Sequence, residues 1–258
     1  MCQLKSCLVL KDRVYCPDYD HHQNMLEKLG IKDDYLGASK TFVRVELLPP
    51  DGVESLMEPL DKWTLRVDQD VTPEWWDADA DRPRVEKAVE AWRGEHVFTE
   101  GKHIVKAGKV YAFDSVTVTA FDSATVKACG SATVKAFGSA TVTAFDSVTV
   151  TAFDSATVTA FGSVTVTAWG SATVEAYGSA TVKAWDSTTV KAWGSATVTA
   201  WGSATVTAWG SATVTAWGSA TVKACGSATV KAYGSAIVVY PRKNKIVYPA
   251  GWTAETHD

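Results

Sequence analysis

Gly194-Ser195-Ala196-Thr197-Val198-Thr199-Ala200-Trp201, followed by Gly202-Ser203-Ala204-Thr205-Val206-Thr207-Ala208-Trp209, is the same eight-residue unit read twice. Looser copies of the form Gly/Asp-Ser-Ala-Thr-Val-Thr/Lys-Ala-aromatic occupy residues 109–240. A short fixed period means that each unit stacks on copies of itself, so the segment is a solenoid with ladders of equivalent side chains on its surface. Working outward, Val118 opens an unbroken series of sixteen valines, one every eighth residue to Val238. Side chains alternate along a strand, so Ala204, Val206 and Ala208 share an inward face while Thr205 and Thr207 point out. The unit-to-unit variation agrees. Lysine or Glu175 replaces the second threonine, and those charges are too costly for so narrow a core. Gly or Asp followed by Ser supplies the corner.

One strand and its corner travel one way, so a second unit is needed to return. The expected coil is about 16 residues with two strands, giving about eight coils and a rod near 38 Å at ~4.8 Å per rung. A triangular coil of three units is the second candidate. The segment 237–240, the residues 241–244 and the segment 245–248 read as a terminal hairpin over the open sheet edge. The chain is thus mainly β: a small N-terminal α+β domain at 1–104, an octapeptide-repeat β-solenoid at 105–240 and a C-terminal cap at 241–258.

In the front domain, Leu8-Val9-Leu10 and Arg13-Val14-Tyr15 flank a two-residue turn. Asp20 is placed to cap a helix over 21–29 that Gly30 ends. Segments 41–47 and 63–67 alternate as half-buried strands. Thr72 with Pro73 behind it reads as a helix start, and 84–92 as an amphipathic helix. The front domain is also expected to close one end of the rod.

Net charge is −4 and the repeat carries seven lysines against six acids. No basic face for nucleic acid and no apolar run for a membrane helix stands out. The short apolar stretch near the N-terminus is too brief for a signal-peptide core. Five cysteines without framework spacing point to a reducing, cytoplasmic compartment. Two of them, Cys129 and Cys225, occupy the aromatic slot roughly 29 Å apart, beyond disulfide reach.

Cys2, Cys7, Cys16, His21 and His22 invite a zinc reading, but paired C-x-x-C spacing is missing and scattered thiols are the plainer account. Asp68, Asp70, Asp77, Asp79 and Asp81 lack the glycine and terminal glutamate of a calcium loop. No metal, cofactor or catalytic residue is assigned, and identical units repeated along a rod do not bring unlike groups to one point. Trp75 and Trp76 are read as one core residue beside one exposed anchor. The aromatic slot is the candidate interaction surface: Trp169, Trp185, Trp193, Trp201, Trp209 and Trp217 form an indole ladder suited to a protein partner or to a homodimer.

Outward Thr-Val-Thr at 117–119, 141–143 and 205–207, with the Gly-Ser-x-Thr/Ala rhythm, resembles the repeats of bacterial ice-nucleation proteins. That resemblance implies ice binding, although lysines interrupt the threonine ranks. The whole chain is similar to phage- and prophage-encoded octapeptide-repeat proteins, through the Val-Asp-Gln-Asp-x-x-Pro-Glu-Trp segment at 67–75 and the octads behind it. That second resemblance carries no assigned activity with it; with no Ser-His-Asp set, phosphate loop or metal motif in the sequence, the expectation is a non-catalytic phage- or prophage-type interaction or scaffold protein in a bacterial host cytoplasm, with ice binding as the alternative.

Overall fold

The structure is a computed structural model that describes residues 5–32, 41–50, 54–240 and 245–247. It divides into two units, Met1–Val97 and Phe98–Asp258, which are described separately.

The first unit holds β1 (Lys5–Leu10), β2 (Val14–Tyr15), α1 (His22–Leu29), β3 (Phe42–Leu48), β4 (Thr64–Val67) and α2 (Ala78–His96). The strands form one antiparallel sheet in the order β2-β1-β3-β4. The hairpin closes as the sequence suggests, with Leu10 N–H donating to Arg13 O at 2.7 Å. Strand alternation sends Leu8 and Phe42 to one face, where they meet Met25 and Leu26 of α1. Lys5 points to the opposite face, and its Nζ lies 4.7 Å from the ring centre of Trp92 on α2.

Two helix starts differ from expectation. Asp20 does not cap α1; its carboxylate accepts from buried Lys5 Nζ at 2.7 Å and from Ser6 N–H at 3.3 Å. A buried ammonium without an anion is far costlier than an uncapped first turn, so the lysine takes the carboxylate. α2 begins at Ala78 rather than at Pro73, because Asp77 accepts from Asp79 N–H and Ala80 N–H, both at 3.0 Å. Residues 73–76 make a separate turn, with Trp76 N–H on Pro73 O. Gly30 ends α1 as expected, in the left-handed region at φ 66°.

The second unit is the solenoid. Strand β5 (Val97–Phe98) lies at the boundary, then come β6 (Lys102–Val105), β7 (Lys109–Ala112) and β8 (Thr117–Ala120). From β8 one four-residue strand follows every eight residues to β22 (Thr229–Ala232), then β23 (Ile237–Tyr240) and β24 (Lys245–Val247). Even-numbered strands make a 9-stranded parallel sheet, β6 to β22. Odd-numbered strands make the other sheet, with β24 added antiparallel on β23 at its end. Thr205 pairs with Thr189 and with Thr221, so the coil is 16 residues and two strands, for about nine coils. The extra coil comes from residues 97–105, outside the octad pattern.

Between the sheets, the valines and the alanines on either side of them form one continuous core, nearly all inaccessible to solvent. Val116, Val148 and Val164 enlarge the alanine slot, all on the same sheet's column. Thr188 stands in that slot on the other sheet at 0% exposure; its hydroxyl donates to Trp185 O at 2.6 Å, which satisfies a polar group with no access to water. At the N-terminal end of this core the ring of Phe98 stacks on His103, centroids 3.8 Å apart. His103 takes the register position of Val118.

Every corner turns through a residue at positive φ, either glycine or one of Asp114, Asp122, Asp146, Asp154 and Asp186. Aspartate tolerates this region because its short side chain bonds to nearby backbone. Here the partner is one coil back: Asp146, Asp154 and Asp186 accept from Gly130, Gly138 and Gly170 N–H at 3.1–3.3 Å. Among the described residues no helix is long and apolar enough to cross a membrane.

Candidate functional site

The aromatic slot follows each strand's last alanine, and with two strands per coil consecutive slots fall on opposite edges. The rings therefore form ladders along the rod edges, as expected, and the indoles are divided between the two. Trp169, Trp185, Trp201 and Trp217 share one edge with Phe121, Phe137, Phe153 and Tyr233. Trp193 and Trp209 share the other with Phe145, Phe161 and Tyr177.

On the first edge Trp169 and Trp185 stack at 4.9 Å, Trp185 and Trp201 at 4.0 Å, and Trp217 and Tyr233 at 4.1 Å. On the second, Phe161 stacks on Tyr177 at 5.0 Å, Tyr177 on Trp193 at 4.5 Å and Trp193 on Trp209 at 4.8 Å. Ring planes stay within 15° because the strand spacing sets the rise and every ring leaves an identical backbone. Each such contact is worth about 0.5–1.5 kcal/mol beyond area burial. Most of the rings are half-buried, while Trp217 and Tyr233 are 42% and 40% exposed near the C-terminal end.

The sheet faces carry rows of threonine. One runs unbroken through Thr117, Thr133, Thr149, Thr165, Thr181, Thr197, Thr213 and Thr229. The row beside it is interrupted by Lys135, Lys183 and Lys231. On the other sheet Lys127, Glu175, Lys191 and Lys223 interrupt the corresponding row. Lys191 Nζ pairs with Glu175 at 3.1 Å, and Tyr177 hydroxyl donates to the same carboxylate at 3.3 Å. Partial burial, then the charge of Lys109, pulls the Lys127 ammonium below the ordinary lysine range.

In the front unit Trp75 and Trp76 are both half-buried, neither core nor exposed, since they sit on the turn ahead of α2 rather than on its first turn. The cysteine and histidine set does not converge. Cys7 faces the α2 side and His22 the α1 side, and Cys2 lies outside the described residues. A hydrogen bond with Cys16, then burial, pushes the Cys7 thiol well up. The acidic stretch is dispersed: Asp77 caps α2, Asp81 pairs with Arg84, and Asp68 faces His22. What sequence reasoning missed is Glu46 and its grouping with His22 and Asp68, which fall in separate candidate sets by sequence: their ligand atoms lie within 4.8 Å of one another, the one such group of three among the described residues. They come from three elements far apart in sequence, so no spacing signalled them.

No protein-family model matches the chain, and neither does any curated protein or solved structure.

Proposed function

We propose that the protein is a non-catalytic interaction or scaffold protein of the phage and prophage type, acting on a host protein in the bacterial cytoplasm. The observation that carries this reading is the pair of aromatic ladders, half-open along both edges of the solenoid and most exposed at Trp217 and Tyr233. Stacked rings form a rigid apolar stripe, and such stripes on a surface mark docking sites. The lysines beside them add a modest positive fringe. A near-neutral surface supports a protein partner over nucleic acid.

Iodide quenching of tryptophan emission, with the mass in solution from light scattering, tests it on the full chain. Quenchable indoles on a monomer that become protected when host lysate protein is captured support the proposal, whereas protection that appears only in a dimer makes the ladders a dimer interface instead. Indoles equally shielded in a monomer that captures nothing refute it.

The second reading is ice binding, favoured by the unbroken threonine row. Lysines leave paired threonine ranks over no more than two consecutive coils, as at Thr149/Thr151 with Thr165/Thr167. Thermal hysteresis at micromolar protein would reverse the ranking.

A further inference from the structure

We propose that His22, Glu46 and Asp68 form a binding site for a divalent transition-metal ion of the zinc class. Nε2 of the His22 imidazole lies 3.2 Å from the carbonyl oxygen of Val45, which can only accept, so Nε2 carries a hydrogen. Nδ1 faces Asp68 Oδ2 at 3.2 Å, where a proton or a metal cation can bridge the two. Glu46 favours the metal: its carboxylate brings a third ligand atom within 4.8 Å of the other two, a set of three that a single N–H···O bond does not need and a metal ion uses.

The supporting contacts fit. A metal-ligating histidine characteristically donates its other ring N–H to a carbonyl or carboxylate, as Nε2 does here to Val45. Bonds of ~2.1 Å at tetrahedral angles put neighbouring ligand atoms about 3.4 Å apart, close to the Nδ1···Oδ2 separation. Register fixes the ligands on rigid elements: His22 opens α1, Glu46 pairs with Arg66 across β3 and β4, and Asp68 N–H bonds to Arg44 O just past β4. Arg66 donates to one oxygen of Glu46. Two carboxylates against one guanidinium leave the site anionic. The Asp68 side chain is 49% exposed while that of His22 is 10% exposed, so the site opens to water at one side. One nitrogen and two oxygens suit Zn²⁺ better than soft Cu(I), and too few oxygens are present for Ca²⁺.

The test is titration of chelator-treated full-length protein with Zn²⁺ by calorimetry, with Co²⁺ absorption reporting ligand type. The expected result is one ion per chain without a thiolate charge-transfer band. Losing an inner ligand in His22→Ala or Asp68→Asn weakens binding by more than the ~10–100-fold that an outer-shell partner costs. The double variant Cys7→Ser, Cys16→Ser leaves it unchanged. Asp68→Asn alters an exposed side chain and keeps the test valid if His22→Ala perturbs α1. Absence of binding at excess Zn²⁺, or binding that survives Asp68→Asn and is lost in the cysteine variant, overturns the proposal.

Discussion

Replacing Gly138 by aspartate, compared with replacing it by asparagine, isolates one device in the corners. Gly138 lies between Asp122 and Asp154 in one corner stack, and its N–H donates to the Asp154 carboxylate at 3.1 Å. Both substitutions force a side chain into φ +65°, where a Cβ meets Asp122 N at 3.3 Å. That backbone strain is common to the two and cancels in their difference. What remains is charge. A carboxylate at 138 stands about one rung, ~4.8 Å, from each neighbour, and like charges at that distance in water repel by about 0.9 kcal/mol per pair. The aspartate variant is therefore about 1.5–2 kcal/mol less stable than the asparagine variant at low ionic strength. At 1 M salt, where the screening length is ~3 Å, the difference shrinks to roughly a fifth. Urea denaturation at low and high salt measures it. Equal stabilities at low salt, or a gap that ignores salt, would refute the reasoning.

Further predictions concern the core and the faces. Val206→Ala removes two methyl groups at a site with no solvent access and is expected to cost about 2 kcal/mol in urea denaturation, whereas Thr205→Ala on the surface costs under ~0.5 kcal/mol. Thr188→Val stays within about 1 kcal/mol of the parent in thermal unfolding, since Trp185 O keeps the Thr188 N–H at 3.2 Å. Lys127→Thr stabilises the rod. Its folded ammonium is depressed, so the unfolded chain binds more protons between the folded and the unfolded lysine pKa values, and parental stability rises with pH in that window. The gain from Lys127→Thr is thus full below the folded pKa and fades toward the unfolded one, as melting temperatures across alkaline pH would show.

Much of the solenoid was legible in its octads, and a further signal lay in the placement of charge. Sixteen-residue stacking sets every aspartate against glycine, as Asp122–Gly138–Asp154–Gly170–Asp186–Gly202 shows. A three-unit coil would set Asp122 on Asp146, and a simple meander Asp114 on Asp122. The same register brings Glu175 to Lys191 and keeps lysines such as Lys183 and Lys191 on opposite sheets. The first coil was not legible, because Lys102-His103-Ile104-Val105 lacks the octad and its register shows only in pairing with β8. Helix starts failed where tertiary demand overrode local signal, as with Asp20 drawn to Lys5. His22, Glu46 and Asp68 meet only through the pairing of β3 with β4 and the seating of α1, which no local pattern encodes.

The two-strand coil also gives the molecule a parity. Addition or loss of two octads anywhere between β8 and β22 returns every later residue to its own face, and the rod merely changes length. Addition or loss of one octad transposes everything downstream: the edge bearing Trp217 and Tyr233 exchanges with the edge bearing Cys225, and β23 with its hairpin moves to the other sheet. Replication slippage in so repetitive a gene thus has two unlike outcomes, one that resizes the protein and one that swaps its two faces beyond the slip.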